Sequence, residues 1–140
     1  MIKARTRISG LHASSKKPSM GEDVLFSGYL QVYDGELKRW DPLKGKLMLY
    51  VDGIKVRDFA SDNYGYFEVE HTFNIPKKYD VEVRYDGSAK TKACMAGIKV
   101  EVLTEEQRRR VEKIIKMFGT VILLLLLLFL LLSLFMVFYR

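Results

Sequence analysis

Short runs of alternating apolar and polar residues make up most of the first hundred positions of the chain. Successive side chains of a strand point to opposite faces, so such alternation predicts strands with one buried face. The runs lie at 2–11, 24–33, 46–51, 54–60, 66–74, 79–85 and 98–102, with turn-forming residues and no crossover helix between them. The pattern predicts an all-β fold: a two-sheet antiparallel β-sandwich of about seven strands.

Two connections differ in how strongly the residues define them. Asp52-Gly53 joins two alternating runs directly, and this dipeptide predicts a hairpin with a type I′ turn because both residues tolerate positive φ. Residues 36–45, which contain Trp40, Asp41 and Pro42, show no alternation and are expected to be a connection rather than a strand. The first run, 2–11, is expected to be an edge strand with a wet face that carries Lys and Arg.

The pattern changes completely after residue 103. Thr104-Glu105-Glu106-Gln107 has the form of a capping box, so one long helix is expected to begin there. Residues 117–139 contain no charged residue, and about 20 apolar residues suffice to cross a hydrocarbon layer of roughly 30 Å. The sequence therefore predicts three parts: a β-sandwich domain at 1–103 with a basic N-terminal strand and loop at 1–20, a charged juxtamembrane helix at 104–116, and a transmembrane helix at 117–139.

The formal net charge of +6 is unevenly distributed. Residues 1–20 carry five basic and no acidic side chains, residues 21–103 carry twelve basic and fourteen acidic ones, and residues 104–140 carry six basic and three acidic ones. The body of the domain is thus close to neutral, which argues against a nucleic-acid partner, since such proteins concentrate basic charge on the folded domain.

Topology is predicted from the ends of the apolar segment. Five basic residues precede it within the short distance over which charge biases orientation, whereas Arg140 alone follows it. The first twenty residues lack the apolar core of a secretory signal, and Cys94 is the single cysteine, as suits a reducing compartment. We therefore expect a single-pass, tail-anchored protein of the cell membrane with its domain on the cytoplasmic side.

Several motifs resemble a known family. They are Ser27-Gly28, Pro42-Leu43-Lys44-Gly45, Tyr50-Val51-Asp52-Gly53, Asp62-Asn63-Tyr64-Gly65-Tyr66-Phe67 and the alternating run from Tyr79 to Tyr85. In this order they are similar to the Ig-like domains of archaeal and bacterial cell-envelope proteins, and the similarity spans roughly residues 18–103. The resemblance implies an Ig-like β-sandwich. The chain differs from the family's usual pattern in having one copy of the domain and no signal peptide. The resemblance implies no particular function, since such domains act as spacers, adhesion units and interaction surfaces.

Catalytic and metal chemistry find no support in the residues. His12 and His71 are the only histidines, and His71 lies in phase with core positions, as a structural residue would. Asp62, Asn63 and Gly65 are explained by a turn, because a calcium loop needs further acidic ligands. We therefore expect no catalytic residues, no metal, no cofactor and no small-molecule substrate, and we expect the protein not to be an enzyme.

Two sets of residues are candidates for contacts. Aromatic side chains in or beside turns are typical of binding surfaces, which gives Trp40, Tyr33, Tyr64 and Tyr66 as a partner surface. Basic side chains ahead of the apolar segment can hold anionic lipid headgroups: Arg108, Arg109, Arg110, Lys113 and Lys116.

The expected function is a non-catalytic interaction or accessory module that presents an Ig-like domain at the cytoplasmic membrane face. Its expected partners are membrane lipid and a protein subunit of a membrane complex. The alternative is an extracytoplasmic envelope module for adhesion or surface-glycan binding, and the side of the membrane separates the two.

Overall fold

The computed structural model describes residues 2–139. The chain divides into two compact units, Met1–Leu103 and Thr104–Arg140. The first unit is made of strands and the second of one helix. In chain order the elements are β1 (Thr6–Ala13), β2 (Asp23–Asp34), β3 (Arg39–Pro42), β4 (Lys46–Val51), β5 (Ile54–Ala60), β6 (Tyr66–Thr72), β7 (Lys78–Tyr85), β8 (Cys94–Glu101) and α1 (Glu105–Phe138).

Two four-stranded antiparallel sheets form the sandwich. In the first sheet, β2 pairs with β1 along one edge and shares its other edge between β6 and β3. The second sheet has the order β5-β4-β7-β8. The predicted all-β sandwich followed by one long helix is confirmed, with eight strands among the described residues instead of about seven.

The additional strand is β3, and the expectation that residues 36–45 form only a connection is wrong. Strand β6 covers β2 from Asp23 to Tyr29, which leaves the last part of β2 with an open edge. Strand β3 fills that edge and pairs directly with Gln31–Asp34. The turn before it is held by the Asp34 side chain, whose Oδ1 accepts the Glu36 and Leu37 backbone N–H groups at 3.0 and 3.2 Å.

The core lies between the two sheets. Alternate residues of the central strands are buried, as the sequence pattern predicts, because one face of each strand leaves water. These fully or nearly fully buried side chains are Val24, Phe26, Leu30, Leu47, Leu49, Phe67, Val69, Phe73, Val81, Val83 and Val100. The opposite residues of the same strands face outward and remain available for surface contacts.

Two local predictions, the Asp52-Gly53 hairpin and the turn at Asp62, are confirmed. Asp52 and Gly53 have φ of 50° and 81° and join β4 to β5 as a tight hairpin. Near the start of β7, the Tyr79 hydroxyl donates to the Ile75 backbone carbonyl at 2.8 Å and ties the strand to the loop that precedes it. The Asp62 carboxylate accepts the backbone N–H groups of Tyr64 and Tyr66, both at 2.9 Å, so these residues form a turn.

Strand β1 is an edge strand, as expected, but it spans Thr6–Ala13 instead of 2–11. Its pairing with β2 shifts between Ser9 and His12, where Gly10 has a φ of 62°. This bulge lets the strand continue to Ala13, which is buried, while Arg7 in its first half stays exposed on the outer face.

The helical unit begins with the predicted capping box. Thr104 Oγ1 accepts the Gln107 N–H at 3.2 Å, and the Gln107 side chain accepts the Thr104 N–H at 3.0 Å. Helix α1 has 34 residues and none of them is buried. The helix is long and apolar enough to cross a membrane.

Candidate functional site

The outer face of the first sheet carries a compact set of side chains, which we call the arginine–aromatic surface: Arg5, Arg7, Gln31, Tyr33 and Trp40. Strand pairing places them together, because Arg7 lies opposite Gln31 and Tyr33 lies opposite Trp40. Arg5 joins them through its backbone carbonyl, which accepts the Tyr33 N–H at 2.9 Å. Leu30 is buried, and successive residues of a strand point to opposite faces. Gln31 and Tyr33 therefore point outward.

Both arginines of this surface lie over aromatic rings. The Arg7 guanidinium carbon is 4.1 Å from the Trp40 ring centroid, and that of Arg5 is 4.6 Å from the Tyr33 ring centroid. The two rings contact each other with centroids 5.2 Å apart. A guanidinium over a ring face is attracted by the ring quadrupole, so the arginines are held in defined positions.

Gln31 fixes the orientation of one guanidinium. Its Oε1 accepts the Arg7 Nε–H at 2.7 Å and the Ser9 hydroxyl at 3.1 Å. With Nε occupied, the terminal Nη groups of Arg7 are the donors that remain for another molecule.

The other two aromatic candidates lie elsewhere. Tyr66 pairs with Tyr29, with ring centroids 5.4 Å apart, and donates its hydroxyl to the Glu68 carboxylate. That hydrogen bond raises the pKa of Tyr66, because it stabilises the protonated phenol. Tyr64 is 79% exposed at the tip of the turn between β5 and β6. The structure thus brings Tyr33 and Trp40 together and leaves Tyr64 and Tyr66 outside this contact, and the partner role of all four stays a prediction.

The five basic candidates of the helix are all exposed. Arg109, Lys113 and Lys116 have the spacing i, i+4, i+7, which places them along one face of α1. Arg108 Nε lies 3.8 Å from a carboxylate oxygen of Glu112, and Arg110 completes the set. Their contact with anionic lipid stays a prediction.

Sequence reasoning missed Arg5 and Arg7 as members of a site. The alternation placed them on a wet strand face, but that signal gives no information about which aromatic rings the neighbouring strand brings beneath them. The sequence did contain a signal for this site. It consists of two arginines spaced two apart in the first alternating run, Arg5 and Arg7, and two aromatic residues farther on, Tyr33 and Trp40.

Groups that could titrate or react lie at the margin of the core. His71 packs edge-on against Phe73 with ring centroids 4.7 Å apart, and its partial burial, with a smaller effect from Arg57, lowers its pKa. Burial raises the pKa of the Cys94 thiol, which a hydrogen bond with Thr6 only partly offsets. Within residues 2–139, no three or more His, Cys, Asp or Glu side chains converge as a metal site would require.

An open groove of about 880 Å³ lies where the ends of β4, β5 and β7 meet. Its apolar lining includes Leu47, Phe59 and Tyr85, and it is flanked by Lys44, Lys46, Asp58 and Asp86. Two positive and two negative side chains balance, so the groove shows no preference for a charged ligand.

Comparison with known proteins identifies a relative in archaea. A protein of Archaeoglobus fulgidus, described as uncharacterized, is 32% identical over 115 residues, which cover 79% of this chain and 76% of that protein. No protein-family model matches the chain.

Two solved structures resemble the fold. One is the CARDB domain of a Pyrococcus furiosus protein in complex with di-metal ions, with a TM-score of 0.48, 9% identity, and coverage of 74% of this chain and 94% of that one. The other is the PKD domain from the human VPS10 domain-containing receptor SorCS2, with a TM-score of 0.46, 23% identity, and coverage of 74% and 75%.

Proposed function

The chain belongs to the same family as the Archaeoglobus fulgidus protein, and we propose that it is a single-pass membrane protein whose β-sandwich is a non-catalytic interaction module. In this proposal the domain is presented at the cytoplasmic face of the cell membrane. The protein acts there as a small accessory subunit that holds a protein partner of a membrane complex.

The exposed apolar helix is the observation that carries the proposal. Every large apolar residue from Val121 to Tyr139 is at least 48% exposed, on all sides of the helix. Soluble proteins rarely expose contiguous apolar patches above a few hundred Å², so this surface needs an apolar environment around its whole circumference. A lipid bilayer supplies it.

The length of α1 supports a stalk outside the bilayer. A helix of 34 residues is about 51 Å long at 1.5 Å per residue, whereas the hydrocarbon core is about 30 Å thick. The excess corresponds to residues 105–116, which carry the charges of the helix. The basic face of Arg109, Lys113 and Lys116 then lies at the headgroups, each basic side chain contributing about 1 kcal/mol to attraction by anionic lipid.

The same residues support the cytoplasmic side. Short basic segments next to a membrane span are retained on the cytoplasmic side, and acidic residues contribute little to this bias. The acidic residues Glu105, Glu106 and Glu112 therefore do not cancel the effect of the five basic ones.

The arginine–aromatic surface supports an interaction role. Aromatic residues and arginine are enriched at protein interfaces because they offer a large contact area together with directional hydrogen bonding. Here Trp40 and Tyr33 are half-buried by each other and by the two arginines, so their positions are fixed before a partner arrives. A preorganised surface loses less side-chain entropy on binding.

Site-specific photocross-linking in intact host cells tests this function. A photoreactive residue replaces Leu37, which is 58% exposed in the turn beside Trp40, and the matched control replaces Ile54, which is 69% exposed in the second sheet. We expect position 37, and not position 54, to cross-link a membrane-associated protein. Equal labelling at both positions, or purification of the protein from membranes without any cross-linked or stoichiometric partner, would contradict the proposal.

The envelope module for adhesion or glycan binding remains the rival function. It requires the domain to lie outside the cell, where the juxtamembrane basic residues would oppose the usual charge bias. A topology measurement therefore distinguishes the two functions directly.

A further inference from the structure

The two arginines of the arginine–aromatic surface are positioned but not neutralised. Arg7 is fixed by the Trp40 ring and by Gln31, and Arg5 is fixed over the Tyr33 ring. Within residues 2–139, neither guanidinium has a carboxylate within ion-pair distance. The charge is therefore available to another molecule.

The second sheet provides an internal comparison. Arg84 lies over the Tyr50 ring at 4.0 Å, which is the same kind of stacking, but two of its nitrogens donate to Glu82 Oε2 at 2.9 and 2.7 Å. This bond to Glu82 is also the main cause that raises the pKa of Arg84. Arg84 thus already holds the carboxylate that Arg5 and Arg7 lack.

The spacing of the two guanidiniums defines what fits them. Arg5 and Arg7 are two residues apart at the start of the first sheet, so their Cα atoms are separated by about 7 Å along an extended chain. Alternate residues of a second extended chain repeat at the same distance. A guanidinium fork matches a carboxylate with two parallel hydrogen bonds, and such charge-assisted pairs are about twice as strong as neutral hydrogen bonds.

We propose that the arginine–aromatic surface binds an acidic, extended segment of a protein partner, with carboxylates at alternate positions facing Arg5 and Arg7. This inference rests on the proposed interaction function and specifies the partner's chemistry at the same surface. Gln31 acts as a positioning residue, since it directs the Arg7 Nη groups outward, and the Trp40 and Tyr33 rings hold the two guanidiniums in place.

Nucleic acid is a poorer fit to the same face. Nucleic-acid binders commonly neutralise several phosphates and therefore present a wide basic surface. The outer face of the first sheet instead becomes acidic beyond Tyr29, where Glu68 and Glu70 point outward from β6. A short acidic peptide can pair with the two fixed guanidiniums alone and does not have to extend over Glu68 and Glu70.

The experiment uses the full chain in micelles of a neutral detergent, which add no tryptophan, and a peptide of repeated Glu-Thr. The only tryptophan of the chain is Trp40, so its fluorescence reports binding at this surface directly. The control peptides are repeats of Gln-Thr, which keep size and shape, and a duplex oligonucleotide tests the nucleic-acid alternative. We expect the Glu-Thr peptide to change Trp40 fluorescence and to bind at least about tenfold more tightly than the Gln-Thr peptide, as loss of one to two charged hydrogen bonds implies.

Variants locate the effect. The double change Arg5→Gln and Arg7→Gln is expected to weaken Glu-Thr binding by about tenfold or more, whereas Arg84→Gln, the matched control in the second sheet, leaves it unchanged. Circular dichroism and thermal unfolding establish that each variant is folded. The charge reversal Arg5→Glu with Arg7→Glu is expected to change the binding preference from the Glu-Thr peptide to a Lys-Thr peptide.

Three results would overturn the inference. They are equal binding of the Glu-Thr and Gln-Thr peptides, an equal loss of binding in Arg84→Gln, and tighter binding of the oligonucleotide than of the acidic peptide. Because the peptide comparison needs no variant, a folding defect cannot hide a negative result. A cross-link from position 37 to a membrane protein together with no acidic-peptide preference would refute this inference and leave the proposed function standing, whereas absence of any cross-linked partner refutes the function itself.

Discussion

Gly65 lies directly against the backbone of Leu30. A Cβ atom on residue 65 would be 2.4 Å from the Leu30 carbonyl oxygen, and the Leu30 N–H donates to the Gly65 carbonyl at 2.7 Å. This contact marks the point where β6 leaves the edge of β2 and β3 takes its place, because the Leu43 N–H donates to that same Leu30 oxygen at 3.0 Å. The position of β3, and of Trp40 within it, therefore depends on the close approach of one glycine.

Replacing Gly65 with alanine is expected to destabilise the domain strongly. The residue has a φ of 77°, and the added methyl group would collide with backbone that cannot move without separating the two strands. We expect a loss of about 2–4 kcal/mol in the free energy of unfolding. Chemical denaturation followed by Trp40 fluorescence measures it.

Gly53→Ala is the matched control. Gly53 has a φ of 81°, but no atom lies within 4 Å of its added Cβ, so only the cost of the left-handed conformation, about 1 kcal/mol, applies. Equal destabilisation by the two substitutions would show that the close approach of Gly65 to Leu30 does not add to the loss of unfolding free energy.

Tyr79→Phe tests the tyrosine near the start of β7. The change removes only the hydroxyl that donates to the Ile75 carbonyl, and we expect a loss of about 1 kcal/mol, typical of one intramolecular hydrogen bond. Tyr64→Phe is the control, since Tyr64 is 79% exposed and water can solvate its hydroxyl in the folded protein as in the unfolded chain. A loss for Tyr79→Phe no larger than that for Tyr64→Phe would contradict an architectural role.

Asp52 makes the stability of the domain depend on pH. Two hydrogen bonds hold the pKa of the Asp52 carboxyl below its ordinary value. The one donated by Lys77 has the larger effect, and the one donated by the Asp80 backbone N–H has the smaller. A carboxylate with a lowered folded-state pKa contributes stability above its unfolded pKa of about 3.9, and the contribution is lost as the pH falls through the folded-state value.

Asp52→Asn separates this charge effect from the turn. Asn-Gly is as favourable as Asp-Gly in a type I′ turn, so the hairpin is retained. We expect unfolding free energies measured below about pH 5 to fall less steeply with acid in the variant than in the wild-type protein. Lys77→Gln should flatten the profile in the same way. A profile in Asp52→Asn as steep as that of the wild type would exclude Asp52 as a source of acid sensitivity.

The elements that depend on local sequence were predictable. Asp52-Gly53 and the Thr104 capping box each specify a structure within four residues, and the alternation of the core strands reports burial directly. Strand β3 was not predictable, because its four residues include Pro42 and show no period. It becomes a strand only because β2 continues past the end of β6, which is a property of the whole sheet.

The arginine–aromatic surface illustrates the same limit. Trp40 and Tyr33 could be proposed from their place beside a turn, and Arg7 could be placed on a wet face. Their stacking depends on the register of β1 against β2, which the bulge at Gly10 shifts between Ser9 and His12. Register across a bulge cannot be read from alternation, so the pairing of each ring with its arginine required the structure.

Neutralising one face of the helix tests the predicted lipid contacts and the orientation together. Changing Arg109, Lys113 and Lys116 to Gln removes three basic charges next to the segment that we propose to span the membrane, each worth about 1 kcal/mol of attraction to anionic lipid. We expect the molecules to insert in mixed orientations, because the charge bias that sets topology is reduced.

The control for this variant changes Lys44, Lys46 and Lys90 to Gln. It removes the same charge from exposed positions of the domain. The accessibility of an N-terminal tag from each side of the membrane measures the orientation of the inserted molecules. Equal disturbance by the two triple variants, or none by the helix variant, would show that the helical residues do not set topology.

Protease protection of the domain tests the central claim most directly. Trypsin is added to intact cells or sealed right-side-out vesicles, and the exposed basic residues of the juxtamembrane segment provide cleavage sites that would release the domain. A cytoplasmic interaction module predicts that the domain survives until detergent opens the membrane and is released at once from inside-out vesicles. Digestion in intact cells would contradict the account and place the domain outside, where adhesion or glycan binding would become the leading function.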